Sequence, residues 1–286
     1  MPAAARSANA LGAEEVRRAR PHLTFRINEN IITGVNDRIS NATTHVPPQS
    51  GIRITALEKS FGSSRALRGV NLRAEPGRIT GLLGPNGSGK STTLKCLLGL
   101  CRADAGQALI HGKTYAAHPN PSSVVGAVLD SLTMDPTMRG RDHLRVYATM
   151  GGHPSTRVED CIKALGMRDY AHRRVGGWST GMRQRLSLAT ALLGDPRVVI
   201  LDEPTNGLDP DGIHWVREAL QDMSSRGNTV VVSSHVLAEF EHVLDDVTIL
   251  RGGRTAASGS LAELRRRTGA DTLEEIYRAT MERAAA

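Results

Sequence analysis

The sequence predicts an α/β fold, a mainly parallel sheet with helices on both faces. Three observations carry that expectation. Short apolar runs such as Val198-Val199-Ile200-Leu201 lack the alternation of a half-buried strand, so they read as strands buried on both faces. Helical patterns separate such runs: residues 198–201, 213–223, 229–233, 236–244 and 247–250 read as strand, helix, strand, helix, strand. A glycine-rich segment, Gly84-Pro85-Asn86-Gly87-Ser88-Gly89-Lys90-Ser91-Thr92, joins an apolar strand to a helix, the kind of junction where these sheets bind ligands.

Taken in order, the first 50 residues show no clear helix or strand period, and they end in Thr43-Thr44-His45-Val46-Pro47-Pro48-Gln49-Ser50, a linker composition. They are expected to form a disordered extension. They lack the apolar core of a secretory signal, and Glu14 and Glu15 argue against a transit peptide. The globular part is expected to begin at Gly51. Ile52, Ile54 and Ala56 alternate as an edge strand, and residues 66–72 and 79–83 supply two more strands. After the glycine-rich loop, Thr93-Leu94-Lys95-Cys96-Leu97-Leu98 continues as a helix with one apolar face. Residues 125–190 read as largely helical, with patterned stretches at 139–150 and 157–165. The strand–helix alternation from 198 to 250 follows, and two short helices are expected near 260–267 and 273–283.

A hydrophobic content of 40% supports a globular core, and with aromatics at 3% that core must be built from Leu, Val, Ile and Ala. The net charge of +7 is spread thinly, and Arg265-Arg266-Arg267 is the only basic run, best read as a solvated helix face. No nucleic-acid partner is expected. Cys96, Cys101 and Cys161 have no metal-binding spacing and read as reduced thiols. No apolar run approaches the ~18 residues of a membrane span, so any path across a bilayer must come from another polypeptide.

The glycine-rich loop carries the clearest chemistry. Its glycines let backbone approach a phosphate without side chains in the way. Successive N–H groups form an anion nest that runs into a helix N-terminus, where unpaired amides and the dipole favour negative charge. Lys90 adds a full positive charge for the β- and γ-phosphates, and Ser91 offers a hydroxyl to Mg²⁺. The chain holds five lysines against thirty-one arginines, so a lysine here points to a need for a compact ammonium. Farther on, Asp202 and Glu203 follow a buried strand at its carboxyl end. Asp202 is placed to hold Mg²⁺, and Glu203 to act as base for an attacking water.

Trp178-Ser179-Thr180-Gly181-Met182-Arg183-Gln184-Arg185 resembles the signature motif of the ABC transporter ATPases, and it precedes the Asp202 strand as in that family. Glu203-Pro204-Thr205-Asn206-Gly207-Leu208-Asp209-Pro210 resembles the family's extended Walker B segment and D-loop. Ser233-Ser234-His235 resembles its switch histidine, and Phe61 in Lys59-Ser60-Phe61-Gly62 its adenine platform. The resemblance spans about residues 52–262, and within the family it is nearest to the bacitracin- and daunorubicin-resistance type of exporter. It implies a P-loop NTPase core with an N-terminal antiparallel β subdomain and a helical signature subdomain at about 126–190. The ATPase domain would cover 51–262, with a short helical tail at 263–286.

The resemblance also assigns roles. Phe61 would stack on adenine, and the loop from Gly84 to Thr92 would wrap the phosphates. Asp202 and Ser91 would hold Mg²⁺, Glu203 would polarise water, and His235 would contact the γ-phosphate. Ser179 and Gly181 would contact the ATP held by a second ATPase subunit, and Asp209 would bridge the two subunits. A membrane permease would be the other partner, placing the chain at the cytoplasmic face of the membrane. Blander readings stand beside two of these: Phe61 as core before a glycine turn, and His235 as the cap of a helix starting at Val236.

Two positions depart from the family pattern. Met182 replaces the usual signature glutamine, and Asp130 stands where a glutamine usually contacts Mg²⁺ and couples to the permease; its shorter, charged carboxylate would still bind the Mg²⁺ shell. The resemblance implies the ATP-hydrolysing subunit of an exporter. The alternatives are a soluble ABC-type ATPase acting outside transport, or a nucleotide switch that hydrolyses poorly.

Overall fold

A computed structural model describes residues 51–129 and 134–283. The extension expected at 1–50 lies outside the described residues, and so does Asp130. The chain opens with β1 (Ile52–Phe61), β2 (Ser64–Ala74) and β3 (Ile79–Leu83). The glycine-rich loop then leads into α1 (Lys90–Leu97), followed by β4 (Ala105–Ile110) and β5 (Val125–Val128). Helices α2 (Gly140–Met150), α3 (Thr156–Ala164) and α4 (Thr180–Leu192) come next. After them run β6 (Val198–Asp202), α5 (Pro210–Ser225), β7 (Thr229–Ser234), β8 (Asp246–Arg251) and β9 (Arg254–Ser260). Two helices follow, α6 (Leu261–Thr268) and α7 (Leu273–Arg283).

Six strands form the main sheet in the order β5-β6-β7-β3-β8-β9. All its pairs are parallel except the β8–β9 hairpin, whose turn is Gly252-Gly253, both with positive φ. Strands β3, β6 and β7 are buried along their whole length, as their apolar runs predict. β2, β1 and β4 form a separate antiparallel sheet. One continuous core joins the two sheets around α1, with Ile52, Leu67, Leu94, Leu97, Ile200 and Val231 among its members.

Three expectations are corrected, and one strand is added. β1 is not an edge strand: β4, which carries no alternation to announce it, pairs along its far side. The stretch from 125 opens as the strand β5 rather than as helix, because it pairs with β6 from Val125↔Val198 to Val128↔Leu201. β9 was not anticipated at all; its Gly-Gly turn was the available signal. The helix expected at 236–244 is a single 3-10 turn, Leu237–Glu239. The Arg217 guanidinium takes the Ala238 and Glu239 carbonyls there, which a regular helix would offer to amides four residues on.

The three thiols are free, with Cys96 Sγ 2.9 Å from Cys101 Sγ. Burial, reinforced by the Cys101 contact, pushes the Cys96 thiol up to about 12, and burial pushes Cys161 to about 11.

Candidate functional site

Parallel pairing brings the carboxyl ends of β3, β7 and β6 side by side. β3 ends in the glycine-rich loop, β7 in Ser234 followed by His235, and β6 in Asp202 followed by Glu203. Residues more than a hundred positions apart therefore meet at one edge of the sheet, where the crevice of an open α/β sheet binds ligands.

In the loop, Gly89 has φ 105°, and a Cβ there would lie 2.7 Å from Leu67 Cδ2 and 3.0 Å from the Ala66 carbonyl oxygen. Only glycine fits that backbone at that spacing. Gly87, at φ 77°, faces open space, so its backbone is approachable by a ligand. Ser88 Oγ is buried and makes no hydrogen bond among the described residues. Such a group costs stability unless a ligand satisfies it. Lys90 opens α1 and is 5% exposed; its Nζ donates to the Gly84 carbonyl oxygen at 2.8 Å. A cradle of backbone with a buried ammonium and an unsatisfied hydroxyl fits a polyphosphate.

Facing the loop, Lys90 Nζ lies 3.2 Å from Glu203 Oε1, and His235 Nδ1 donates to Glu203 Oε2 at 2.8 Å. Glu203 stands between the two as the shared acceptor. Its backbone has φ 49°, a left-handed conformation that costs a non-glycine residue about 1–3 kcal/mol. The Glu203 amide donates to both the backbone oxygen (3.2 Å) and Oγ (3.0 Å) of Ser233, which hold the turn in place. Ser233 Oγ in turn donates a short hydrogen bond to Asp202 Oδ1. Asp202 is 6% exposed, a buried carboxylate whose position is set by β7 as much as by its own strand.

Both blander readings give way. Phe61 is 53% exposed at the end of β1, with Lys59 Nζ 5.4 Å from its ring centroid, so it is no core residue. His235 caps no helix; the amide of Val236 is taken by Ser234 Oγ.

The signature residues are not drawn into this cluster. Ser179 caps α4, accepting from the Met182 amide at 3.2 Å, and is exposed. At Gly181 a Cβ would meet nothing within 4 Å, which leaves the backbone open to close approach from outside. Asp209 is exposed and caps α5, accepting from the Gly212 amide at 2.8 Å, with Pro210 in the first turn. Trp178 is packing: it is 3% exposed, meets Tyr170 edge to face, and fills the space that a Gly140 side chain would need.

Four residues of the site's framework were not singled out beforehand: Ser233 as a bridge, Thr205, Arg217 and Glu239. For Ser233 the signal was a polar residue inside a wholly buried strand, next to its last residue. The other three meet only through tertiary contacts.

Residues 67–206 match the ABC transporter family. The lantibiotic transport ATP-binding protein SrtF of Streptococcus pyogenes is 32% identical over 226 residues, covering 79% of this chain and 95% of that protein. The Nod factor export ATP-binding protein I of Burkholderia lata is 36% identical over 236 residues, covering 80% and 77%. The bacitracin transport ATP-binding protein BcrA of Bacillus licheniformis is 35% identical over 208 residues, covering 71% and 67%. A solved ATP-binding subunit of an ABC transporter superposes with a TM-score of 0.73 at 27% identity, over 80% of this chain and 99% of its own. The chain belongs to the ABC transporter family, as an ATP-binding subunit that hydrolyses ATP.

Proposed function

We propose that this chain powers export through a separate membrane permease, working as one of two ATPase subunits at the cytoplasmic face of the membrane. The observation that carries the hydrolytic part is the meeting of Lys90, Glu203 and His235 at one sheet edge. In the reaction, Glu203 takes a proton from the attacking water while Lys90 neutralises charge on the γ-phosphoryl group. His235 is within reach of the same centre through Glu203 and contacts the γ-phosphate. Phe61, exposed at the end of β1, stacks on adenine. Asp202 and Ser91 suit Mg²⁺: a buried carboxylate and a hydroxyl at a helix N-terminus are hard oxygen donors, and the ion would neutralise phosphate charge.

The exposed N-terminus of α4 and the open backbone at Gly181 support a second copy of the subunit, whose ATP they would contact in trans. A solved bacterial ABC transporter cassette of the same fold is described as dimeric (TM-score 0.66, 22% identity, 73% of this chain and 98% of its own). A groove of about 600 Å³ between β5, α2 and the end of α4 supports the permease contact. Leu129, Tyr147 and Met150 line it, and Leu100 and Met150 on its rim are 68% and 77% exposed. Apolar surface left open in this way marks an interaction site. Among the described residues no helix is long and apolar enough to cross a membrane. The relatives' names speak of lantibiotic transport, Nod factor export and bacitracin transport, three unlike cargoes, which fits cargo selection by the permease.

The test is ATP hydrolysis by the purified chain, wild type against Glu203→Gln, with sizing in ATP and Mg²⁺. Turnover in the wild type, with an inactive variant trapped as an ATP-dependent dimer, is the expected result. Equal turnover in both would remove Glu203 as the base.

A further inference from the structure

The segment after the switch histidine is built of short turns rather than a regular helix. It makes one 3-10 turn, Leu237–Glu239, before the chain bends toward β8. The fully buried Phe240 anchors its far end, and two polar side chains from elsewhere hold the turn itself. Arg217, on α5, donates from Nε to the Glu239 carbonyl oxygen in a short hydrogen bond, and from Nη2 to the Ala238 carbonyl oxygen at 3.3 Å. Thr205, two residues after Glu203, is 4% exposed and donates its hydroxyl to Glu239 Oε2 at 2.5 Å.

The chemistry of this anchor is informative. Among the described residues Arg217 engages two adjacent backbone carbonyls rather than a carboxylate, so its planar fork fixes both position and orientation of the backbone. The Glu239 carboxylate is committed instead to Thr205, in the loop that carries Glu203. The switch segment is thus tied on one side to the Glu203 loop. On the other it is tied to α5, the helix capped by Asp209. His235 is four residues before Glu239, and its only polar contact among the described residues is Glu203.

We propose that Arg217 and Thr205, acting through Ala238 and Glu239, are positioning residues that hold His235 in register with Glu203 for hydrolysis. The proposal rests on the reading of Glu203 and His235 as the hydrolytic pair. Neither Arg217 nor Thr205 touches the reacting atoms. Their loss leaves the phosphate loop intact, so it acts on the chemical step and not on ATP binding.

The experiment measures single-turnover hydrolysis of labelled ATP and ATP affinity for wild type, Arg217→Met, Arg217→Lys, Thr205→Val and His235→Ala. It adds the double variant Arg217→Met/His235→Ala and a thermal melt of each. Arg217→Met is expected to slow hydrolysis about 10- to 100-fold with ATP affinity changed less than about twofold. Arg217→Lys, which keeps the charge but loses the fork, recovers part of the rate, and Thr205→Val slows it a few-fold. The deciding result is non-additivity: in the His235→Ala background Arg217→Met has little further effect, because the group it positions is gone. An undiminished effect in that background, or a rate in Arg217→Met and Thr205→Val equal to wild type, overturns the proposal. So does a loss of rate that tracks a drop in melting temperature and in ATP affinity. If the wild-type rate does not depend on His235, the hydrolytic reading of that residue fails and the proposal falls with it. Dependence on His235 without dependence on Arg217 and Thr205 overturns the positioning role alone.

Discussion

Lys90 Nζ and Glu203 Oε1 stand 3.2 Å apart, a cation and a carboxylate that are 5% and 18% exposed. The Glu203 carboxylate and a bound γ-phosphate would therefore compete for the one Lys90 ammonium. A γ-phosphate that takes up the Lys90 ammonium must draw it from Glu203, whose other oxygen already accepts from His235. Removing the carboxylate's charge relieves that competition.

It follows that Glu203→Gln should bind ATP more tightly than wild type while losing hydrolysis. The gain is expected to be about three- to tenfold, the size of one modest, partly screened ion pair. The fall in rate is about 10²-fold or more, the usual contribution of a general base. Lys90→Ala should instead weaken binding by at least about tenfold. Equilibrium titration with a fluorescent ATP analogue checks both; weaker binding by Glu203→Gln would show that Glu203 does not oppose the phosphate.

How much of this was legible in the sequence depends on whether a feature is local. The phosphate loop is nine consecutive residues, and its chemistry needs no partner from elsewhere to be read. β6 announces itself because burial on both faces makes it wholly apolar. By contrast β5 is four residues with a glycine inside, and becomes a strand only because β6 lies beside it. The left-handed turn at Glu203 has no sequence signal at all; it is held by Ser233, thirty positions away. The same holds for the contact of Arg217 with Glu239, which replaces a helix that local pattern had suggested.

The groove beside α2 leads to a second expectation. Leu100 and Met150 are more than two-thirds exposed, so a charge there costs the isolated fold little. Leu100→Asp combined with Met150→Asp should leave ATP turnover of the purified chain within about twofold and its melting temperature nearly unchanged. The same change should abolish association with membranes of the producing cell, because a charged rim rejects an apolar helix end. Flotation of membranes with bound chain is the measurement, and unchanged flotation would move the permease contact to another face.

His143 makes a third expectation, about acid stability. It lies in α2 at 4% exposure, its ring against Tyr147 at 4.7 Å between centroids, and its Nε2 makes no hydrogen bond among the described residues. Burial holds its pKa below the ordinary value of 6.5. The folded state therefore keeps the imidazole neutral while the unfolded chain protonates, and the unfolded chain binds more protons below pH 6.5. Its contribution to stability is complete above that pH. It is lost as pH falls toward the lowered folded value, at up to about 1.4 kcal/mol per pH unit. His111 and His153 are shifted the same way, chiefly by burial, and add to the loss on acidification. His143→Phe removes the titrating group while keeping an aromatic ring against Tyr147. Denaturant unfolding at pH 7.5 and pH 5.5 should show a smaller loss for this variant than for wild type. An equal loss would mean that protonation of His143 is not coupled to unfolding.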